Sequence, residues 1–584
     1  MDQQMLEISW KVGGQQGEGI ESSGEILSIA LNRLGYYLYG YRHFSSRIKG
    51  GHTNYNIRIS LTPTGTIAKQ LDILLAFDQE TIDINAHELR SQGIILADEK
   101  CHPTVTKIRS LEFCPVPFSQ IAISYGSAMM KNIVSLGASA ALLGVDLSIF
   151  TAVIQEVFAK KGKEVIDNNL NAFHGGAQFM SENFSHLLQK YSLPKTTALK
   201  RMFMMGNEAI ALGAITAGSR FMAAYPITPA SEIMKYMIKK LPDLGGAVIQ
   251  TEDEIAACTM AIGANYAGAR AFTATSGPGF SLMAEAIGLA GMTETPLVVI
   301  NTQRGGPSTG LPTKNEQSDV MTAIYNTHGD TPKVVLSPST VEEAFYDTIE
   351  AFNIAEEYQC PVIILTDLQL SLGKQTVEPL KYEKVEIRRG NLIQDTALPP
   401  LKQGDYFKRF QVTPSGISPR VLPGTPNGIH LITGLEHDEM GDPTEAAANR
   451  IAQTDKRLRK LDTLLDRYNT PIYVNAPFVE ADLLMIGMTA SRGAIEETIL
   501  RLIAEKWKVN HAHIRLLHPF PVKQLQSLYF SARKVLVVEQ NATGQLAQLI
   551  KMNIPDDGRM INLLKYDGGI FDGTSLYEKC KEIL

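Results

Sequence analysis

Short runs of β-branched and apolar residues alternate along this chain with longer amphipathic stretches, a pattern that predicts strand–helix units over most of its length. Ile8–Val12 reads as a first strand, followed by the glycine-rich turn Gly13-Gly14-Gln15-Gln16-Gly17-Glu18-Gly19 and a helical pattern over Ile20–Leu34. Tyr55–Ser60 alternates apolar and polar residues as a half-exposed strand does, and Leu71–Asp78 reads as a buried strand. Helical stretches continue to about Gln189, and Tyr191–Thr197 has the Pro, Ser and Thr content of a linker. Met205–Glu208 opens a helix read as running through Ala209 to Ala224. From about Gln375 proline, glycine and charge increase, predicting an irregular connection that ends in one charged helix, Glu445–Leu465. Strand–helix alternation returns with Ala481–Met488, Gly493–Glu505 and Lys534–Asn541; His518, just before Pro519, reads as a loop residue.

Between Ala224 and Gln317 several loop-forming clusters each follow a strand-like run. They are Tyr225-Pro226-Ile227-Thr228-Pro229, Thr251-Glu252-Asp253-Glu254, Thr275-Ser276-Gly277-Pro278-Gly279 and Arg304-Gly305-Gly306-Pro307-Ser308-Thr309-Gly310. In a parallel sheet such positions fall at the carboxyl ends of strands, where ligands bind. One acid, one hydroxyl and one guanidinium are therefore expected to meet in one crevice. Glu254 stands directly before an Ala-rich helix. An acid there can also serve simply as a helix N-terminal carboxylate, the part expected of Glu252 and Asp253.

The 584 residues exceed one hydrophobic core, so three or four domains are expected. A net charge of -6 argues against a nucleic-acid surface. No signal-type segment opens the sequence, and its longest apolar stretch, Ile133–Val145, is too short to span a membrane. A cytoplasmic protein without nucleic-acid or membrane partners is the expectation. Cys101, Cys114, Cys258, Cys360 and Cys580 form no Cys-x-x-Cys pair, so neither an iron–sulfur cluster nor a structural zinc is expected in this chain. Cys258, one turn after Glu254, reads as a small buried apolar residue. Glu436-His437-Asp438-Glu439 has metal-ligand residue types but reads better as a polar loop, because adjacent side chains seldom converge on one ion. Ser45–Asn54 carries Arg47, Lys49, glycines and His52; it suits a phosphorylated ligand or a partner, and a solvated surface loop equally well.

The combination of Gly13–Gly17, Gly206-Asn207-Glu208-Ala209, Tyr225–Pro229, Arg304–Gly310 and His328-Gly329-Asp330 closely resembles the α-subunits of 2-oxoacid:ferredoxin oxidoreductases, in the form with a γ-type domain fused at the N-terminus. The resemblance covers nearly the whole chain and implies a multidomain α/β fold. It implies a γ-type domain at 1–190, a transketolase-like pyrimidine-binding domain at 198–375, a connecting segment at 376–468 and a doubly wound transketolase C-terminal-like domain at 469–584.

The resemblance further implies a thiamine diphosphate enzyme that converts a 2-oxoacid and coenzyme A to acyl-CoA and CO2 and passes two electrons to ferredoxin. Glu254 matches the glutamate at the aminopyrimidine; Tyr225, Pro226, Ile227 and Thr228 match the segment beside the cofactor. Thr228 and Arg304 match substrate-binding positions, a guanidinium suiting a 2-oxoacid carboxylate. The cationic, glycine-rich loop of Arg47 and Lys49, in a domain without a catalytic group, is expected to help hold coenzyme A. Mg²⁺, the diphosphate and a [4Fe-4S] cluster are expected on a separate β-subunit, in a dimer of αβ heterodimers. A self-sufficient transketolase-like enzyme would need a Gly-Asp-Gly motif with a later Asn, and the sequence has no such motif. On overall resemblance the substrate is 2-oxoglutarate, with a pyruvate or branched-chain 2-oxoacid enzyme, or a non-catalytic binding subunit, as alternatives.

Overall fold

The computed structural model describes residues 7–45, 51–105, 111–394 and 398–584. The chain forms two compact units: Met1–Met205 with Leu372–Leu380 and Asp572–Cys580, and Gly206–Ser371 with Lys381–Phe571 and Lys581–Leu584. The architecture is α/β throughout, and the described residues form three sheets.

In the first unit β1 (Ile8–Gln15), β2 (Tyr37–Phe44), β3 (His52–Ser60), β4 (Leu71–Ala76), β5 (Leu89–Asp98), β6 (Glu112–Val116) and β7 (Met202–Met205) are joined by a later strand, Lys374–Val377, which is β14 in chain order. Their order is β6-β5-β4-β1-β3-β2-β14-β7. The region read as a loop up to Asn54 is corrected here, because β3 begins at His52 and His52–Asn54 pair with Gln15–Gly13. The half-exposed reading of Tyr55–Ser60 is also corrected: Asn56, Arg58 and Ser60 are buried along with the apolar face. Arg58 is accommodated by donating to Glu7 Oε2 at 2.7 Å and to the Thr66 carbonyl at 3.2 Å. The strand read as ending at Val12 runs on to Gln15, so the turn begins only at Gln16; there Glu18 accepts from the Gln15 N–H at 2.9 Å and from Lys131 Nζ at 2.6 Å, putting a carboxylate where the sequence offered an anion site.

The second unit holds the other two sheets. β8 (Phe221–Ala224), β9 (Ala247–Gln250), β10 (Ala271–Thr275), β11 (Leu297–Gln303), β12 (Val334–Leu336) and β13 (Pro361–Asp367) are mutually parallel, with Leu516–His518 (β18 in chain order) antiparallel at one edge. The order is β18-β12-β13-β11-β10-β8-β9. The helix read through to Ala224 ends at Thr216; Gly218, at φ +85°, turns the chain into β8. A four-residue apolar strand cannot be told from a helix continuation by period alone. His518 is likewise a strand residue rather than a loop residue, and burial, with Lys333 nearby, pushes its imidazole down to about 4. The third sheet comprises β15 (Ile472–Asn475), β16 (Ala481–Met488), β17 (Val509–Ile514), β19 (Ala532–Glu539) and β20 (Met560–Leu564), ordered β15-β17-β16-β19-β20.

Between β14 and the helix Ala447–Arg467 the described chain forms no strand and no α-helix, and it is held largely by buried charge. Glu294, fully buried, receives Lys456 Nζ and Lys460 Nζ at 2.5 Å each, while its carbonyl accepts from Arg409 Nη2 at 2.7 Å. Glu356 gathers Arg420, Arg389 at 3.0 Å and Arg270 at 3.8 Å. Removing one member of such a hub strands the others in a low-dielectric interior. Glu294→Gln should therefore cost about 3–5 kcal/mol of stability. Equilibrium unfolding in urea checks this, and a midpoint equal to wild type would show that the lysines find other partners.

Glu436 is bound by Arg457 at 2.8 Å and Arg450 at 2.5 Å; although burial opposes them, they hold its carboxyl down to about 2. His437 is buried and packs against the Phe410 ring at 4.0 Å. Among the described residues no group of three His, Cys, Asp or Glu is arranged to hold a metal, and no helix is long and apolar enough to cross a membrane.

Candidate active site

The parallel sheet of the second unit changes direction between β8 and β10: from β8 the chain passes to β9 on one side, then returns to β10 on the other. A crevice opens at the carboxyl ends of strands at such a reversal. The segments that follow β8, β9, β10 and β11 carry the Tyr225–Pro229, Thr251–Glu254, Ser276–Gly279 and Arg304–Gly310 clusters, so the convergence expected from the sequence follows from this topology.

After β9, Thr251 ties the turn to β8 by donating its N–H to the Ala224 carbonyl at 3.1 Å and its hydroxyl to the Asp253 carbonyl at 2.8 Å. Asp253 is the N-cap of the helix Glu254–Tyr266, accepting from the Ala256 N–H at 2.8 Å. With that task done by Asp253, Glu254 turns inward and is only 6% exposed. Its carboxylate lies over Gly279, where an added Cβ would overlap Glu254 Oε1 and Thr275 Oγ1. No described residue donates a hydrogen bond to this carboxylate, so a buried acceptor is left for a ligand donor. Cys258, one turn on, is fully buried and its thiol is pushed up to about 12, mainly by burial. It is an apolar core residue.

Arg304, directly after β11, is 8% exposed. Its Nη1 donates to the Thr228 carbonyl at 2.7 Å, joining the ends of β11 and β8 across β10. Its Nε is buried with no acceptor among the described residues. The Nε edge of the guanidinium is thus left without a protein acceptor among the described residues. Burial pushes this guanidinium down from its ordinary value and Asp319 opposes that shift. Tyr225 and Pro226 are exposed, whereas Ile227 and Thr228 are half-buried.

The loop itself depends on glycine. Gly310 stands at φ +51°, and an added Cβ would collide with the Gly305 carbonyl. Leu311 N–H donates to that carbonyl at 2.8 Å and Gly305 N–H to the Lys314 carbonyl at 3.0 Å.

Two residues not singled out in the sequence belong to the same neighbourhood. Asn301, on β11, donates Nδ2 to Asp319 Oδ2 at 3.0 Å, and its Oδ1 is buried with no partner among the described residues. Asp319 lies against Gly277, 3.0 Å from the place of a Cβ there, and burial raises its carboxyl despite Asn301 and Arg304. The signal for Asn301 was polar residues ending an apolar strand, Leu297–Ile300 passing into Asn301-Thr302-Gln303; Asp319, in the loop before Val320, had none. The structure thus brings Thr228 and Arg304 into contact, sets Glu254 against Gly279 and Thr275, and sets Asp319 against Gly277. Arg47 and Lys49 lie outside the described residues. In the neighbouring β3, His52 Nδ1 is buried without a partner among those residues.

Comparison with known proteins adds the family. Residues 212–456 match a family model described as pyruvate flavodoxin/ferredoxin oxidoreductase, thiamine diphosphate-binding. Residues 9–179 match pyruvate ferredoxin/flavodoxin oxidoreductase, and 481–573 match pyruvate:ferredoxin oxidoreductase core domain II. The chain is 32% identical to the 2-oxoacid:ferredoxin oxidoreductase subunit alpha of a Sulfolobus species, over 99% of this chain and 97% of that one. It is 31% identical to the 2-oxoglutarate oxidoreductase subunit KorA of Mycobacterium tuberculosis, over 94% and 88%. Among solved structures, the 2-oxoglutarate:ferredoxin oxidoreductase from Magnetococcus marinus, with 2-oxoglutarate, coenzyme A and succinyl-CoA bound, is 36% identical with a TM-score of 0.89 and 99% coverage of both chains.

Proposed function

The chain belongs to the thiamine diphosphate-dependent 2-oxoacid:ferredoxin oxidoreductases, as an α-subunit with an N-terminal γ-like domain, and on that premise we propose that its complex oxidatively decarboxylates 2-oxoglutarate with coenzyme A and reduces ferredoxin. The observation that carries the site assignment is the buried, unpartnered Nε of Arg304 at the sheet reversal. The choice of 2-oxoglutarate is supported by the full-length likeness to the Magnetococcus protein that binds it.

Thiamine diphosphate, when bound, supplies the electron sink that lets a 2-oxoacid lose CO2. The buried, donor-free carboxylate over Gly279 fits its aminopyrimidine. Glu254 would hold a proton at pyrimidine N1′, and so would support the proton-transfer chemistry that the bound cofactor supplies. Asp253 caps the helix, so the Glu254 side chain remains free to do so. Arg304 donates from its Nε edge to the 2-oxoacid carboxylate, a charge-assisted contact that fixes the substrate's orientation. The Thr228 hydroxyl donates to the carboxylate or oxo oxygen, at a distance set by the bond from its carbonyl to Arg304. Tyr225, Pro226 and Ile227 line the cofactor from the β8 side. Mg²⁺, the diphosphate site and a [4Fe-4S] cluster reside on a β-subunit, in keeping with scattered cysteines and no Gly-Asp-Gly motif here.

The test is reconstitution with the β-chain and an assay of 2-oxoacid-dependent viologen reduction. The complex should prefer 2-oxoglutarate over pyruvate by about 100-fold or more in kcat/KM, and the isolated chain should be inactive. A preference for pyruvate would overturn the substrate; decarboxylation by the isolated chain with Mg²⁺ and thiamine diphosphate would overturn the divided site.

A further inference from the structure

We propose that the domain built on the third sheet takes part in the reaction at one remove. Gln540, through Asn315 and Gln317, clamps the return limb of the Arg304 loop, and Asn315, Gln317, Asp367 and Gln540 are positioning residues for Arg304. The proposal rests on the reading of Arg304 as the 2-oxoacid-binding residue.

The loop leaves β11 at Arg304 and carries glycine at 305, 306 and 310, with an exposed tip from Gly306 to Leu311. Such a segment has little stiffness of its own. Its return limb is different: Asn315 is 1% exposed and Gln317 is fully buried. Gln317 N–H donates to the Gln540 carbonyl at 2.6 Å, and Gln540 N–H returns a bond to Gln317 Oε1 at 3.0 Å. Asn541 Nδ2 donates to the Gln317 carbonyl at 3.0 Å. Asn315 donates from Nδ2 to Gln540 Oε1 at 2.7 Å and from its backbone N–H to the Gly568 carbonyl at 3.2 Å, and Asn315 Oδ1 accepts from the Gln369 N–H at 2.8 Å. Gln540 Nε2 is in turn held by the Gly569 carbonyl at 2.8 Å. A network this fully satisfied in the interior specifies one position and tolerates little displacement.

The second anchor is Asp367, fully buried at the end of β13 and directly opposite Gln303 in the β11–β13 register. Its Oδ2 accepts from Gln317 Nε2 at 2.8 Å and from Thr489 Oγ1 at 2.6 Å, and its Oδ1 from the Leu370 N–H at 2.8 Å. Thr489 holds φ +48°, a conformation a β-branched residue keeps only where its surroundings fix it. Asp367 therefore stands one strand from Arg304 while gripping the far end of the same loop. Both ends of a glycine-rich loop are tied to one rigid frame, and the guanidinium is pre-aimed. Misplacement by about 1 Å at such a contact can cost two orders of magnitude in rate.

The test uses the assembled complex with Gln540→Leu and Asn315→Ala, each alone and combined with Arg304→Ala, read by steady-state kinetics and thermal unfolding. Each single variant should raise the KM for the 2-oxoacid about tenfold and leave the KM for coenzyme A unchanged; in the Arg304→Ala background neither should raise it further. A lower kcat with an unchanged 2-oxoacid KM, or effects that add to those of Arg304→Ala, would reduce the clamp to general structural support and overturn the proposal. If one variant fails to assemble, the other still decides the outcome. Should Arg304→Ala itself leave the 2-oxoacid KM unchanged, the reading of Arg304 fails and the clamp loses its object. If Arg304→Ala raises that KM and the clamp variants do not, only the clamp is rejected.

Discussion

Glu254→Gln in the assembled complex is expected to retain bound cofactor while turnover falls by about three orders of magnitude, roughly 4 kcal/mol in the barrier. The substitution keeps the shape of a buried side chain packed over Gly279, so little of the fold depends on it. What it removes is the negative charge. A carboxylate stabilises a proton on the facing ring nitrogen, and at a side chain only 6% exposed the interaction is worth more than in water. An amide presents either a neutral acceptor or a donor and cannot do so. Exchange of the cofactor's C2 proton for deuterium, followed by NMR after acid quench, reads that step apart from substrate binding and electron transfer. An exchange rate equal to wild type would remove Glu254 from the role.

Arg304→Ala is the second large effect. The variant should lose about 2–4 kcal/mol in kcat/KM for the 2-oxoacid, the cost of truncating a buried charge-assisted contact. That corresponds to roughly 30- to 1,000-fold. Much of the loss should appear in KM, because the carboxylate is bound in ground state and transition state alike. Arg304→Lys should recover only part of it, since an ammonium can approach the carboxylate but cannot reproduce the planar edge or hold the Thr228 carbonyl at the same time. Unchanged kinetics across 2-oxoglutarate, pyruvate and branched-chain 2-oxoacids would show that the unpartnered Nε serves something else.

Several elements were legible because a local pattern forces them. β16 spans Ala481–Met488 as its apolar run predicts, and the helix Ile20–Leu34 has the expected limits. Others misled for equally physical reasons. Alternation along Tyr55–Ser60 shows that two faces differ, yet says nothing of whether the second is covered; in β3 it is, with Arg58 paired inside. The apolar run ending at Ala224 looked like more helix because four residues cannot display a period. Gln540 was not legible as a partner of the Arg304 loop because Asn315 and Gln317, which it bonds, stand more than 200 residues away in sequence.

By itself the sequence determined the residue types on which the proposed site draws and the strand ends that carry them: an acid after β9, a threonine after β8 and an arginine after β11. Turn and strand propensities act over a few residues, so those positions were fixed locally. Only the tertiary structure decided which groups remain available. Asp253 takes the helix cap and frees Glu254, the Thr228 carbonyl takes one arm of Arg304 and leaves Nε without an acceptor, and Gln540 and Asp367 lock the loop between them. Those outcomes depend on which distant donors and acceptors fill one another's valences, and strand order and packing set those meetings rather than any short stretch of chain.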